Sequence, residues 1–228
     1  MNLRALFRDV VLRWGQKRQL KHWKIELHLN THEPAYQKLF ASVDGFALSH
    51  QARVDHDAFE YTYGEIDFIS FIALLFLVKP DKHTIFYDLG SGIGTAVLAC
   101  AMVYPVKKSV GIECFSTLHD TAVRQKQRLE QHPDYCHRET LIDLIHANFL
   151  HVPMNDATLI FINSTAYFGE TWEKLNQQLE AMPHLTTVIT LSKPLCCSGF
   201  VTTQTTRINV SWGEVQAYIH QRINVLTS

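Results

Sequence analysis

The sequence is poor in the features that tie a chain to disulfide, metal or membrane chemistry. Its five cysteines, Cys100, Cys114, Cys136, Cys196 and Cys197, are odd in number and form no CxxC pair. A disulfide framework or a zinc site is therefore not expected, and a reducing compartment is favoured. The thirteen histidines include no HExxH motif, and no metal is expected. The apolar stretch from Phe68 to Val78 is well short of the roughly 20 residues that span a bilayer. The N-terminus lacks the order of a signal peptide, namely a charged start, an unbroken apolar run and a small-residue cleavage site. A soluble, cytoplasmic chain is expected, with secretion as an effector or organelle targeting as the alternatives. No Pro/Gly/Ser-rich linker and no internal repeat divides the 228 residues, of which 46% are hydrophobic. That is enough for one sizeable core.

Charge is scarce overall but unevenly placed. Residues 1–25 carry Arg4, Arg8, Arg13, Lys17, Arg18, Lys21 and Lys24 against Asp9 alone, a net +6. The whole chain's −1 leaves −7 on the remainder. Leu3, Leu6, Phe7, Val10, Val11 and Trp14 recur at helical spacing, which makes this a basic amphipathic segment. It reads either as a helix packed on the domain with a solvated basic face, or as a contact for an acidic partner, nucleic acid or anionic membrane. The expected organisation is a basic N-terminal helical extension over residues 1–58 and a main domain over 59–228.

Strand and helix patterns alternate through the main domain. Glu65–Val78 reads as a buried helix ended by Pro80 and Asp81, and Thr84–Asp88 as a buried strand. Then come a small-residue helix over Thr95–Tyr104, a strand Ser109–Glu113, and a polar-faced helix Thr117–Gln131. Strands Leu141–Ala147 and Thr158–Asn163, a helix Glu170–Ala181 and a strand Thr186–Leu191 follow. Such alternation predicts an α/β fold, a Rossmann-like and mostly parallel sheet with helices on both faces. Val201–Trp212 and Val215–Val225 read as an antiparallel C-terminal hairpin turning at Gly213–Glu214.

The chemistry concentrates where the first strand meets its helix, at Asp88-Leu89-Gly90-Ser91-Gly92-Ile93-Gly94-Thr95. Glycines there permit positive φ and let the backbone lie against a ligand. The spacing is GxGxG rather than the GxGxxG of a dinucleotide site, and Asp88 precedes it. A carboxylate beside the turn repels pyrophosphate and suits a cation, such as the amino group and sulfonium of S-adenosylmethionine (SAM). Glu113, 19 residues after Gly94 at the end of the second strand, is placed to accept ribose hydroxyls. Asn148 and Phe149 follow the third strand, where adenine would lie. Asn163 closes the fourth strand; as a buried amide it either caps a loop or binds a reacting group.

The order of these segments carries a resemblance. Tyr63-Gly64-Glu65, Phe86-Tyr87-Asp88-Leu89-Gly90-Ser91-Gly92-Ile93-Gly94, Gly111-Ile112-Glu113, Asn148-Phe149, Ile160-Phe161-Ile162-Asn163, Leu191-Ser192-Lys193-Pro194 and Ser211-Trp212-Gly213 run in sequence. The series resembles the non-SET protein-lysine methyltransferases of the disruptor-of-telomeric-silencing (Dot-one-like) type, over about residues 59–222. The resemblance implies a class I SAM-dependent N-methyltransferase acting on a lysine of a protein substrate. It implies that Tyr63, Gly64 and Glu65 cover SAM, that Asp88 and Gly90 hold its methionine part, and that Glu113 holds the ribose. It further implies that Asn148 and Phe149 hold the adenine and that Asn163 sits near the sulfonium. Trp212 and Tyr218 would line a lysine channel walled by Lys193 and Pro194, with Phe168 a further aromatic candidate. The family's paired asparagines are Asn163-Ser164 here, one residue is inserted before Phe168, and the long basic DNA-binding extension is absent. A small-molecule methyltransferase and an inactive binding domain on the same fold are the competing readings.

Overall fold

The computed structural model describes residues 23–53 and 63–223. The basic segment at the N-terminus therefore lies almost wholly outside the described residues. Two helices come first, α1 (Leu29–Phe40) and α2 (Gly45–Ala52), followed by α3 (Phe68–Val78). The alternating part runs β1 (Ile85–Leu89), α4 (Thr95–Val103), β2 (Lys108–Glu113), α5 (Ser116–Glu130), β3 (Leu141–His146) and β4 (Leu159–Ile162). It continues through α6 (Gly169–Ala181) and β5 (Thr187–Leu191) to the hairpin β6 (Phe200–Val210) and β7 (Gly213–Arg222).

The strands form one seven-stranded sheet in the order β3-β2-β1-β4-β5-β7-β6. The first five are mutually parallel, and β7 runs antiparallel to both β5 and β6. The strand order reverses between β1 and β4, so a crevice opens at their carboxyl ends. Side chains of β1 alternate between two apolar clusters: Phe86 joins the one containing α3 and α4, and Tyr87 the one containing α6. The expected Rossmann-like sheet with an antiparallel hairpin is the fold observed. Helix α4 is buried at eight of its nine positions, which its alanines and cysteine permit in the space against the sheet. Trp23, Leu29 and Leu39 belong to the same apolar cluster as α3 and α4, so α1 packs onto the sheet's helical layer.

Two boundaries differ from the sequence pattern for a shared reason. The third helix starts at Phe68 rather than at Glu65, because Asp67 caps it by accepting from the Ser70 N–H at 2.9 Å. Ile66 instead pairs with Val210 of the hairpin, while Glu65 O accepts from Ser211 N and Glu65 N donates to Ser211 Oγ. The hairpin turns at Ser211–Trp212, with Val210 opposite Gly213, so Trp212 sits at its tip rather than in a strand. Among the described residues no helix is long and apolar enough to cross a membrane.

Arg222 fastens the last strand to the end of α6. Its guanidinium donates to the carbonyls of Leu185, Glu180, Leu179 and Met182 at 2.6 to 3.2 Å and lies over the Phe200 ring. Carbonyls at a helix C-terminus lack intrahelical partners and carry partial negative charge, so a planar fork of donors fits them as an ammonium does not. Arg222→Lys should destabilise the fold by about 2 kcal/mol, a loss of roughly 4–8 °C in Tm. Arg207→Lys, on an exposed pair with Glu214, should shift Tm by less than about 1 °C. Thermal unfolding of the two variants side by side checks both.

Candidate functional site

The crevice at the carboxyl ends of β1, β2 and β4 is a cleft whose lining includes Tyr63, Gly64, Asp88, Gly90, Ser91 and Gly92. Thr95, Glu113, Asn148, Phe149 and Asn163 complete the expected residues found in it. The turn after β1 needs its glycines: Gly90, Gly92 and Gly94 all have positive φ, between 55 and 83°. A Cβ on Gly90 would run into the Tyr167 hydroxyl, and one on Gly92 into the Tyr63 ring. The turn is bound to β2 through its backbone. Gly90 N and Ser91 N donate to Ile112 O at 2.9 and 3.0 Å, and Gly92 N donates to Glu113 Oε2 at 2.8 Å.

Glu113 also accepts from Phe115 N at 2.9 Å, so both of its oxygens are held by backbone donors. Asp88 is different. It is 4% exposed, lines the cleft, and receives no side-chain hydrogen bond from any described residue. Burial, and then the neighbouring Glu113, push its pKa up to about 8. Burial also raises Glu113, against the lowering effect of its backbone donors. Two buried acids side by side, one of them without a partner, make this end of the cleft favourable for a cation.

The 63–65 segment arches over the cleft and is tied down from three sides. Asn163 Nδ2 donates to Gly64 O at 3.2 Å, while Asn163 Oδ1 accepts from Thr165 Oγ1 at 3.0 Å. Ser211 N donates to Glu65 O at 2.9 Å, and Glu65 N to Ser211 Oγ at 3.1 Å. The Trp212 ring packs directly on Gly64, where any Cβ would overlap it. Tyr63 donates to Glu65 Oε1 at 2.6 Å, and burial raises its hydroxyl pKa.

Some expected residues do not line the cleft. Glu65 is turned toward Tyr63, and Gly94 serves as the left-handed N-cap of α4, packed on Ala122. Trp212 reaches the cleft only through Gly64, with 44% of its surface exposed. Tyr218 lies in β7 between Thr190 and Thr205 and stacks with His220; it pairs one residue short of the carboxyl end of β5 but is not among the residues lining the cleft. Asn148 lines the cleft but spends Oδ1 on capping the turn at Leu150 N, at 2.9 Å.

One further residue of the site had little signal in the sequence. Tyr167 lines the cleft beside Phe149, their rings 5.2 Å apart; its place after the fourth strand was its one clue. Lys193, expected as a wall of the lysine channel, is not among the lining residues; its Nζ lies 3.7 Å from the Phe168 ring centroid and 4.9 Å from that of Trp172. That amine is buried without a hydrogen-bond partner, and desolvation lowers its pKa. The chain also holds a histidine pair four apart, His28 and His32, but His32 Nδ1 bonds the Tyr135 hydroxyl at 2.7 Å. No group of three or more metal-holding side chains exists among the described residues.

Known proteins share this framework. An RNA methyltransferase from Salinibacter ruber, solved with S-adenosyl-L-homocysteine, superposes with a TM-score of 0.52 at 18% identity, covering 69% of this chain and 94% of that one. Magnesium protoporphyrin IX methyltransferase from Synechocystis PCC 6803, solved with bound SAM, gives a TM-score of 0.52 at 12% identity over 82% of this chain and 95% of that one. At such identities the likeness is one of fold. In sequence, the chain is 30% identical over 138 residues to a Caenorhabditis elegans histone-lysine N-methyltransferase specific for H3 lysine-79, covering 57% of this chain and 14% of that protein. The Drosophila melanogaster protein of the same description is 32% identical over 114 residues, covering 48% of this chain and 6% of its own length. Carboxy-S-adenosyl-L-methionine synthase from Yersinia enterocolitica is 26% identical over 125 residues, covering 52% of this chain and 44% of its own. The chain thus spans less than half the length of each of these relatives. A family model described as "Histone methylation protein DOT1" matches residues 51–223, a segment that begins just after Ser49 of α2. With most of its length in that match, the chain belongs to the DOT1 histone methylation family.

Proposed function

We propose that this chain transfers a methyl group from SAM to the side-chain amine of a lysine in a protein. The observation that carries the reading is the buried Asp88 carboxyl beside Glu113, without a hydrogen-bond partner among the described residues, at the edge of a three-glycine turn. Among the described residues no lysine or arginine lines the cleft. That polarity suits a sulfonium and an ammonium and opposes a pyrophosphate. The residues present therefore fit SAM: Asp88 and Gly90 at its methionine end, Glu113 at the ribose, Asn148 and Phe149 at the adenine. SAM supplies an electrophilic methyl carbon that a neutral amine attacks in line. The choice of lysine rests on family membership and on the activity named for the nematode and fly relatives.

The chain's own part is to hold the amine and to favour its neutral form. A lysine has a pKa near 10.4, so losing its proton at pH 7 takes about 4–5 kcal/mol at about 1.36 kcal/mol per unit. Aromatic faces and exclusion of water reduce that cost by disfavouring the ammonium. Phe168 and Trp212, 53% and 44% exposed, stand next to the lining residues Tyr167 and Gly64 and are the aromatic faces an incoming lysine meets. Asn163 and Tyr63 set the 63–65 segment over the same end of the cleft. No histidine among the described residues lines the cleft, and this chemistry requires no dedicated base once nitrogen and methyl carbon are aligned.

Asp88→Asn should separate binding from stability. In the fold the Asp88 pKa is raised from 3.8 to about 8. The folded state then binds more protons than the unfolded one between those values, so the ligand-free chain loses stability as pH rises through that window. The asparagine variant should unfold at least about 4 °C higher than wild type at pH 8 without ligand, yet bind SAM about tenfold more weakly or worse. Equal SAM affinity in the two proteins would remove Asp88 from the site. A radiolabelled methyl-transfer assay on eukaryotic and bacterial lysates tests the reaction itself. Label in a protein band, on lysine by mass spectrometry and absent with Gly90→Arg, is expected. Label confined to small molecules would contradict a protein acceptor.

A further inference from the structure

Helix α2 brings a polar group into the cleft that the glycine turn and the acids leave unexplained. Ser49 lines the cleft and is 1% exposed, and its Oγ has no hydrogen-bond partner among the described residues. A buried hydroxyl is normally satisfied, and leaving one unpaired is unfavourable. The start of α2 fixes where this hydroxyl lies. Asp44 caps the helix by accepting from Ala47 N at 2.9 Å, and a Cβ on Gly45 would collide with the Tyr63 hydroxyl and the Glu65 carboxylate. Tyr63 in turn rests on Gly92. The helix therefore covers the glycine-turn end of the cleft, beside Tyr63 and Gly92.

That end has a shortage of donors. A SAM molecule carries a carboxylate as well as its two cationic groups, and the carboxylate must be satisfied in a cleft already holding Asp88 and Glu113. Four of the turn's five amides are spent: Gly90 N and Ser91 N on Ile112 O, Gly92 N on Glu113, and Gly94 N on Ser91 O. The Thr95 hydroxyl is shared with Tyr36 of α1. Among the described residues no lysine or arginine lines the cleft to take an anion. We propose that the Ser49 hydroxyl donates to the carboxylate of bound SAM, so that α2 completes the methionine end of the site. The proposal rests on the reading of the cleft as a SAM site and adds a positioning role for a helix ahead of the glycine motif.

Ser49→Ala removes the hydroxyl and little else. Titration calorimetry on wild type and variant would use two ligands, SAM and decarboxylated SAM, which keeps the sulfonium and amine but has no carboxylate. The variant should bind SAM about tenfold more weakly or worse, since a hydrogen bond to a charged acceptor is lost. Its affinity for decarboxylated SAM should stay within about twofold of wild type on the same principle. Without ligand its Tm should equal or exceed that of wild type, because a buried unpaired hydroxyl has gone. Equal SAM affinity in the two proteins would overturn the proposal while leaving the cofactor reading intact. A lowered Tm with equal loss on both ligands would mark Ser49 as a packing residue and also overturn it. Failure of wild type to bind SAM would bring down the cofactor reading and this proposal together.

Discussion

At the tips of β1 and β2 two carboxylic acids are buried against each other, and the fold has arranged partners for one of them. Glu113 is held by the N–H groups of Gly92 and Phe115. Asp88, a strand away, receives no such bond from the described residues, and burial with the neighbouring Glu113 pushes its pKa up to about 8. The glycine turn exists in its present shape because Glu113 pulls Gly92 inward and Ile112 receives the two preceding amides. Stability and binding are therefore opposed at one point: the arrangement that fixes the turn leaves an acid whose ionisation the ligand-free fold resists. A bound cation resolves that conflict, which is a common way for a site to trade stability for affinity.

The remaining elements serve to enclose this acidic end. The hairpin tip at Ser211–Trp212 has no direct place in the cleft, yet it holds the 63–65 segment by two backbone-linked bonds and by the packing of Trp212 on Gly64. Asn163, at the end of β4, grips the same segment from the opposite side. A third connection runs from Asn163 through Thr165 to Ser192, whose φ of 69° turns the chain so that Lys193 enters its aromatic surround. The two antiparallel strands thus contribute to the cleft by restraining its cover, not by lining it.

Much of this was legible in the sequence where the physics is local. Three glycines in alternate positions after a buried strand mark a turn of positive φ, and an acid ending the next parallel strand has to lie beside that turn. Asn148 and Phe149 were placed by the same strand-tip rule and do line the cleft. Contacts between distant segments were not legible. The helical pattern of α3 extends back to Glu65, but pairing of Ile66 with Val210 takes those residues out of the helix. The hairpin turn is displaced from Gly213 for the same reason, since Ser211 is recruited to Glu65. Ser49 reaches the cleft only through the placement of α2, and a serine within an eight-residue helix carries no periodic or spacing signal.

The central claim is that Asp88 waits, protonated, for a cation. Calorimetric titration of SAM at pH 7 in two buffers of different ionisation heat counts the protons exchanged on binding. Release approaching one proton per SAM is expected for the wild-type chain, because a carboxyl of pKa about 8 must ionise to meet the ligand. Release should vanish when Asp88 is replaced by asparagine. Tight binding with no proton released by the wild-type chain would contradict the account.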